Sequence, residues 1–429
     1  MKHIFLLFYL LYNLPVFAQP KTDTLLQNIL LRNNNPLLQQ VLKQKDSFRV
    51  QIIYTQINRD KNNTPSFKNY YFNTDTNLYF NPASTVKLPL ALLALEKLNN
   101  IHVKDVNKYT ALQIDSNYDK QSTAYIDSSA QSLKPSIAQY IRRAFLVSEN
   151  DAYNRLYEFT GQQTINQNLH YKGYKSLRIT RQFLGLTAEQ NRHTNPMHFI
   201  NKEGSLVYSQ PAAYNTDSFY FGKIIKVGKA YYNSHDSLIN ESFDFTTANN
   251  VPLEYLQQLL QTVLFPASVP VKQRFNLKAD DYKFLYQYLS QYPSETNYPK
   301  YDSAQYYDSY VKFYFRDGHP QLPSYIRVFN KVGWAYGFLI DVSYVVDFKN
   351  KVEFMLTSTL YANRDGVLND DKYDYETIGW PFLYQLGQTV YKYELQRRRK
   401  YRPDLQKFNI QYEKRDGNDT RLTIKNVDN

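Results

Sequence analysis

Three short stretches of this 429-residue chain hold residue types that do chemistry at useful spacing. In "NPASTVKLPLALLALEKL", Ser84 and Lys87 stand three apart where polar sequence gives way to an apolar helical pattern. A serine at a helix start lies at the positive end of the helix dipole, where backbone N–H groups stabilise an oxyanion. A lysine one turn on shares its face. It serves as a base once desolvation or a neighbouring cation depresses its pKa. The plain alternative is a helix-capping serine and a surface lysine. Ser309-x-x-Lys312 repeats the spacing in the same chain.

The other two stretches lie downstream. Ser148-Glu149-Asn150 interrupts helical sequence in "FLVSENDAYNRLYEF". A hydroxyl and a carboxamide there can pass a proton to a leaving group and hold a substrate amide. Lys331-Val332-Gly333 opens a strand in "NKVGWAYGFLIDVSYVV". Gly333 lets a substrate lie along the strand edge, and Lys331 adds positive charge. Lys226-Val227-Gly228 competes for this role but lacks the alternating strand after it.

These residues need elements to position them. The pattern predicts a helix over 22–45, a strand over 48–60, and a second strand in "YYFNTDTNLYF" after the turn "KNNTPSFKN". Helix follows from Ser84 to Leu98, and residues 101–160 read as mostly helical. The polar stretch 161–250 resists assignment. Amphipathic helices are expected over 251–265 and 278–292, three strands over 325–362, and a last helix over 375–400. Strands at both ends of the chain with helices between them predict α/β (α+β) character: an antiparallel sheet flanked by helices, formed by both chain ends, with an inserted helical subdomain.

With these motifs in this order, S-T-V-K at Ser84, S-E-N at Ser148 and K-V-G at Lys331, the chain resembles the penicillin-recognising serine hydrolases, and within them the class A β-lactamase-like group. The two strands before the Ser-x-x-Lys helix, the strand "YGFLIDVSYVV" and the closing helix extend the resemblance. The resemblance implies that Ser84 is the acylated nucleophile and Lys87 its base or the base's partner. Ser148 would relay a proton to the leaving nitrogen, Asn150 bind the substrate's side-chain amide, and Lys331 orient a substrate carboxylate. Backbone N–H groups of Ser84 and Trp334 would form the oxyanion hole, with Gly333 beside them.

Three departures stand out. Val332 replaces the hydroxyl residue of the third motif, a loss of about 1.5–3 kcal/mol if that bond is to a charged group. Phe183, in "ITRQF", aligns where class A enzymes carry the glutamate that activates the deacylating water. Glu189 and Glu203 are the nearby substitutes. The 183 residues from Ser148 to Lys331 are more than the group's pattern needs, with the excess at about 196–250, either a lid over the site or a surface insertion.

Composition narrows the setting. Residues 1–18, "MKHIFLLFYLLYNLPVFA", read as a secretory signal peptide, too short in its apolar run for a membrane span. No cysteine is present, hence neither disulfide nor lipid-attachment thiol. The seven histidines lack zinc spacing, so neither metal nor cofactor is expected. Net charge is +12, or +11 without the one lysine of the signal peptide, and favours anionic surfaces; export disfavours nucleic acid. Arg397 to Arg399, Lys400 and Arg402 read as a solvated helix end. The 41 tyrosines reflect lineage bias for the larger share, with amphipathic packing and glycan contact as the physical readings.

The expected organisation is a signal peptide, a catalytic domain over 19–400 and a polar basic tail over 401–429. Within the domain the sheet part takes 19–80 and 278–400, and the helical part 84–277. The expected function is a secreted, periplasmic, monomeric serine acyl hydrolase, not inserted in a membrane, acting on a β-lactam or a peptidoglycan-derived peptide. A D,D-peptidase or esterase on the same scaffold is the alternative enzyme, and a cell-envelope binding module the non-catalytic one.

Overall fold

Five strands from opposite ends of the chain make one antiparallel sheet. In the computed structural model, which describes residues 20–318 and 321–427, the early pair is β1 (Gln51–Arg59) and β2 (Pro65–Phe72). The late trio is β3 (Ile326–Ala335), β4 (Phe338–Asp347) and β5 (Val352–Tyr361). The order is β3-β4-β5-β1-β2, and β5 joins β1 with Thr359 opposite Gln51. The expected signal peptide lies outside the described residues. β2 starts earlier than expected, because Pro65 to Asn69 pair with β1 instead of forming the turn.

Helices cover both faces. On one side lie α1 (Thr24–Leu31), α2 (Pro36–Lys43) and the last helix, Trp380–Gln396. They bury Leu26, Leu38, Val41, Leu383 and Val390 against Val328, Val345 and Leu356. The single helix expected over 22–45 is two. Asn35 caps the second by accepting from Leu38 N at 3.0 Å, and Pro36 has no N–H with which to continue the first.

On the other side lies the helical part: α3 (Lys87–Asn100), α4 (Ile137–Leu146), α5 (Asn150–Thr160) and α6 (Gln162–Tyr171). α7 (Leu253–Leu264) and α8 (Ala279–Ser290) then lead back to the sheet, and Trp380–Gln396 is α9. α3 is apolar all round because it is buried all round. Residues 101–136 are not helical as expected. This Asn-, Asp- and Ser-rich stretch is turns plus one short strand, Ala111–Ile114, paired with Met197–Ile200.

The insertion packs against the sheet end. Ala230–Tyr232 pairs with Val367–Leu368, and Phe243 and Phe245 pack on Tyr336 with ring centroids 5.6 and 5.3 Å apart, the second edge-to-face. The basic helix end is not merely solvated. Arg397 Nε donates to Glu394 Oε2 at 2.9 Å, Arg399 also donates to that oxygen, and Tyr54 OH donates to Oε1. The glutamate is fully buried. The tail carries apolar anchors, Leu405 and Phe408 being buried.

Candidate active site

Ser84 sits in a tight turn between sheet and helix. Asn81 Oδ1 accepts from Ala83 N at 2.8 Å, and Pro82 O accepts from Thr85 N at 3.0 Å. The turn Ala83–Val86 is 3₁₀, and α3 begins at Lys87. Ala83 has φ 43°, a left-handed conformation that a non-glycine residue adopts only when its surroundings impose it. Half-buried Ser84 is thereby lifted into the cleft between the helical part and the sheet.

Lys87 is fully buried, which desolvation makes costly unless its ammonium is satisfied. Its Nζ donates to Ser84 Oγ at 2.8 Å and Asn150 Oδ1 at 2.9 Å, to the Ser148 carbonyl, and more weakly to Ser148 Oγ at 3.4 Å. The loop between α4 and α5 supplies these partners. Ser148 adopts φ 65°, which breaks the helix and turns its carbonyl and hydroxyl inward. Glu149 points away and is clamped by Arg143, whose Nε lies 2.8 Å from Glu149 Oε2. Burial raises the glutamate's pKa, an effect the Arg143 bonds oppose. That clamp was not legible in the sequence beyond an arginine six residues before the glutamate.

Lys331 enters from the sheet. Its Nζ donates to Ser148 Oγ at 2.8 Å and to Val332 O at 2.8 Å. Burial, with Lys87 and Lys312 adding like charge, pushes it well below the ordinary lysine value. A hydrogen-bonded path therefore runs from Ser84 Oγ through Lys87 and Ser148 to Lys331.

Gly333 explains why β3 can lie so close. A Cβ there would stand 2.8 Å from Pro82 O and 2.9 Å from Ser84 N. β3 is the free edge of the sheet. Its hairpin to β4 turns on Tyr336 and Gly337, both at positive φ, 53° and 81°, the type I′ geometry. Such a turn makes Ala335 and Phe338 the bonded pair and leaves Trp334 and Leu339 without mutual bonds. The Trp334 N–H thus points off the edge that Gly333 presents to Ser84, as an oxyanion donor must. The Trp334 side chain lies on the opposite face, against Phe313 and Tyr310. Val332 also faces away, in the core beneath α9.

Phe183 borders the same cluster. Its ring lies 5.1 Å from Lys87 Nζ and stacks on Tyr153 at 4.3 Å. Its N–H donates to Asn154 Oδ1 at 2.8 Å. The loop that carries it is pinned by Asn249, whose Oδ1 accepts from Thr180 N at 2.7 Å and Arg181 N at 3.1 Å. Asn154 and Asn249 gave no sequence signal, since their role is backbone support.

Glu189 lies 3.3 Å from His193 and accepts from Tyr214 at 3.5 Å. Glu203 lines a separate cavity with Asp105 and Ile200. Lys226 is exposed in a two-residue strand that pairs with Phe243–Asp244. None of the three joins the Ser84 cluster. Beside Asn150 opens a cavity of about 250 Å³ bordered by Phe183, Leu184 and Arg155. Larger surface cavities of about 570 and 790 Å³ are lined by none of the motif residues. Among the described residues, no cluster of His, Cys, Asp and Glu could hold a metal, and no helix is long and apolar enough to cross a membrane.

Residues 36–208 match the beta-lactamase enzyme family. No curated protein matches the chain. Among solved structures, a beta lactamase from Xanthomonas campestris pv. campestris str. ATCC 33913 aligns over 86% of this chain and 99% of its own, at 13% identity and TM-score 0.47. An ancestral (GNCA) class A beta-lactamase aligns over 83% and 99%, at 14% identity and TM-score 0.43. The class A beta-lactamase from Clostridium kluyveri DSM 555 aligns over 82% and 98%, at 13% identity and TM-score 0.45. The segment 36–208 that is similar to the beta-lactamase enzyme family carries Ser84, Lys87, Ser148 and Asn150.

Proposed function

We propose that the protein is an exported serine acyl hydrolase of the class A β-lactamase type that is acylated at Ser84 and deacylates slowly. The observation that carries the reading is the hydrogen-bonded path from Ser84 through Lys87 and Ser148 to Lys331. Export rests on the signal-peptide pattern of residues 1–18, which implies a periplasmic protein and a small-molecule β-lactam or peptidoglycan-derived peptide as partner.

In the acylation step Ser84 Oγ attacks the carbonyl carbon of a strained amide or activated ester while Lys87, acting as base, takes its proton. The oxyanion forms against the backbone N–H groups of Ser84 and Trp334. As the C–N bond breaks, the nitrogen takes a proton from Ser148 Oγ, which is replenished from the lysines that bond it. Burial that lowers the Lys331 pKa eases such a transfer. Asn150 holds the acyl side-chain amide, and Lys331 draws the substrate carboxylate without help from Val332.

Hydrolysis of the acyl-enzyme needs a base to activate water. Phe183 stands beside Lys87 in place of a carboxylate, while Glu189 and Glu203 lie in other surroundings. This favours a long-lived acyl-enzyme and supports a peptidoglycan D,D-peptidase or esterase as the second reading. Intact-mass spectrometry with a penicillin and a chromogenic cephalosporin, beside Ser84→Ala, tests it. The expected result is a stable adduct on the parent and none on the variant. Rapid turnover without an adduct would overturn slow deacylation. Neither adduct nor turnover would leave a different acyl substrate or a non-catalytic envelope-binding module.

A further inference from the structure

We infer that the C-terminal segment 415–427 forms the outer wall of the pocket beside Asn150, so that the tail decides which acyl groups reach Ser84. The inference rests on the reading of Ser84 as nucleophile and adds to it a determinant that no motif announces.

The tail is laid along the segment 293–302 by specific bonds. Arg415 Nη2 donates to Pro293 O at 2.8 Å, and Arg421 Nη2 to Asn297 O at 2.9 Å. Ile424 then pairs with Tyr301: its N–H donates to Lys300 O at 2.8 Å, and its carbonyl accepts from Asp302 N at 2.9 Å. Thr423 Oγ1 donates to Asp302 Oδ2 at 3.1 Å. Tyr301 is fully buried, close enough to Glu149 and Arg143 for their charges to act on its hydroxyl. The segment that receives the tail therefore runs near the loop that carries Ser148.

Past Ile424 the chain reaches the cleft. Ile424 and Val427 both pack on the apolar core of the helical part, and Val427 lines the cavity of about 250 Å³ opposite Asn150, Phe183 and Leu184. Asn150 is one bond from Lys87, and Lys87 one bond from Ser84. A group that extends from the carbonyl attacked by Ser84, past the Asn150 carboxamide, would meet Val427.

Two chemical features follow. The pocket is mixed in character, with Asp151, Arg155 and Gln182 among its walls, and the buried Gln182 Oε1 has no partner among the described residues. It suits a side chain that offers a hydrogen-bond donor as well as apolar surface. The wall itself is held by a few polar bonds, one of them exposed, so it can yield to a larger group.

The test compares two penicillin probes on the full-length chain: 6-aminopenicillanic acid, which has no acyl side chain, and benzylpenicillin, which has a phenylacetyl group. Acylation of Ser84 is followed by intact mass in the parent, Val427→Trp, and Ile424→Asp, which expels the strap. Val427→Trp is expected to slow benzylpenicillin at least about tenfold, the scale of a filled side-chain pocket, and to leave 6-aminopenicillanic acid within about twofold. Ile424→Asp is expected to speed benzylpenicillin selectively. Equal changes for both probes, or none for either, would overturn the wall. If neither probe nor 4-nitrophenyl acetate acylates the parent at Ser84, the nucleophile reading has failed and the wall falls with it. Acylation of Ser84 that is indifferent to Val427 and Ile424 removes the wall alone.

Discussion

Lys331 Nζ and Ser148 Oγ lie 2.8 Å apart, although 183 positions separate them in the chain. One sits on the free edge of the sheet and the other in a left-handed kink between two helices. Their bond closes the cleft between the two parts of the molecule and completes a path to Ser84. Lys331→Ala should lower the acylation rate about 10²-fold or more, the scale of proton relay and charge effects. It should also shift the alkaline limb of the pH profile of that rate. A changed rate with an unmoved pH profile would assign Lys331 to structure only.

Lys87→Met keeps the length of the side chain and removes the amine proposed as base. Acylation of Ser84 should fall about 10²–10⁴-fold, measured as the rate of adduct formation by intact mass. The protein should remain folded by circular dichroism, because a methionine fills the buried volume without a charge to satisfy.

Phe183→Glu would put a carboxylate next to Lys87, whose Nζ now lies 5.1 Å from the ring. Adducts with benzylpenicillin should then decay at least about tenfold faster. An unchanged lifetime would mean that the deacylating water is excluded for reasons other than the missing base.

Gly333→Ala should displace Ser84, the proposed nucleophile. The added methyl would meet Pro82 O at 2.8 Å and Ser84 N at 2.9 Å, both backbone atoms. Overpacking of this kind costs about 1–3 kcal/mol. A lower Tm by scanning calorimetry should accompany a loss of acylation larger than the stability change explains.

Asp341 gives a pH signature. Burial pushes its carboxyl up to about 7, against about 3.9 in an unfolded chain. Between these values the folded state holds a proton that the unfolded state has released, so stability falls as pH rises from about 4 to 7. Asp341→Asn keeps an acceptor for Asn330 Nδ2 and Ser343 Oγ, now at 3.0 and 2.7 Å, and removes the titration. Its Tm should match the parent near pH 4 and exceed it near pH 8. Parallel Tm curves would show that the carboxyl does not carry this dependence.

What the sequence determined by itself follows from local rules. The apolar run after Ser84 is a helix, the run after the expected turn at 333–337 is a strand, and the broken helix at Ser148 is a turn. The earlier strand nevertheless continues through Gly333 to Ala335, and the hairpin itself is only Tyr336-Gly337. The spacings that carry these motifs act over one turn or one strand, where side-chain period alone decides which face a residue takes. The helix predicted over 22–45 and the helical content expected over 101–136 failed because caps and turn residues outweigh a loose apolar period. The strand after Lys331 favoured it over Lys226 from the sequence, but tertiary structure alone decided that its ammonium meets Ser148. Tertiary structure also turned Glu189 and Glu203 away from the cluster, buried Glu394 among the arginines at the end of α9, and brought Val427 to the cleft. These placements depend on which distant surfaces exclude water together, and burial is a property of the assembled layers that no window of the chain contains.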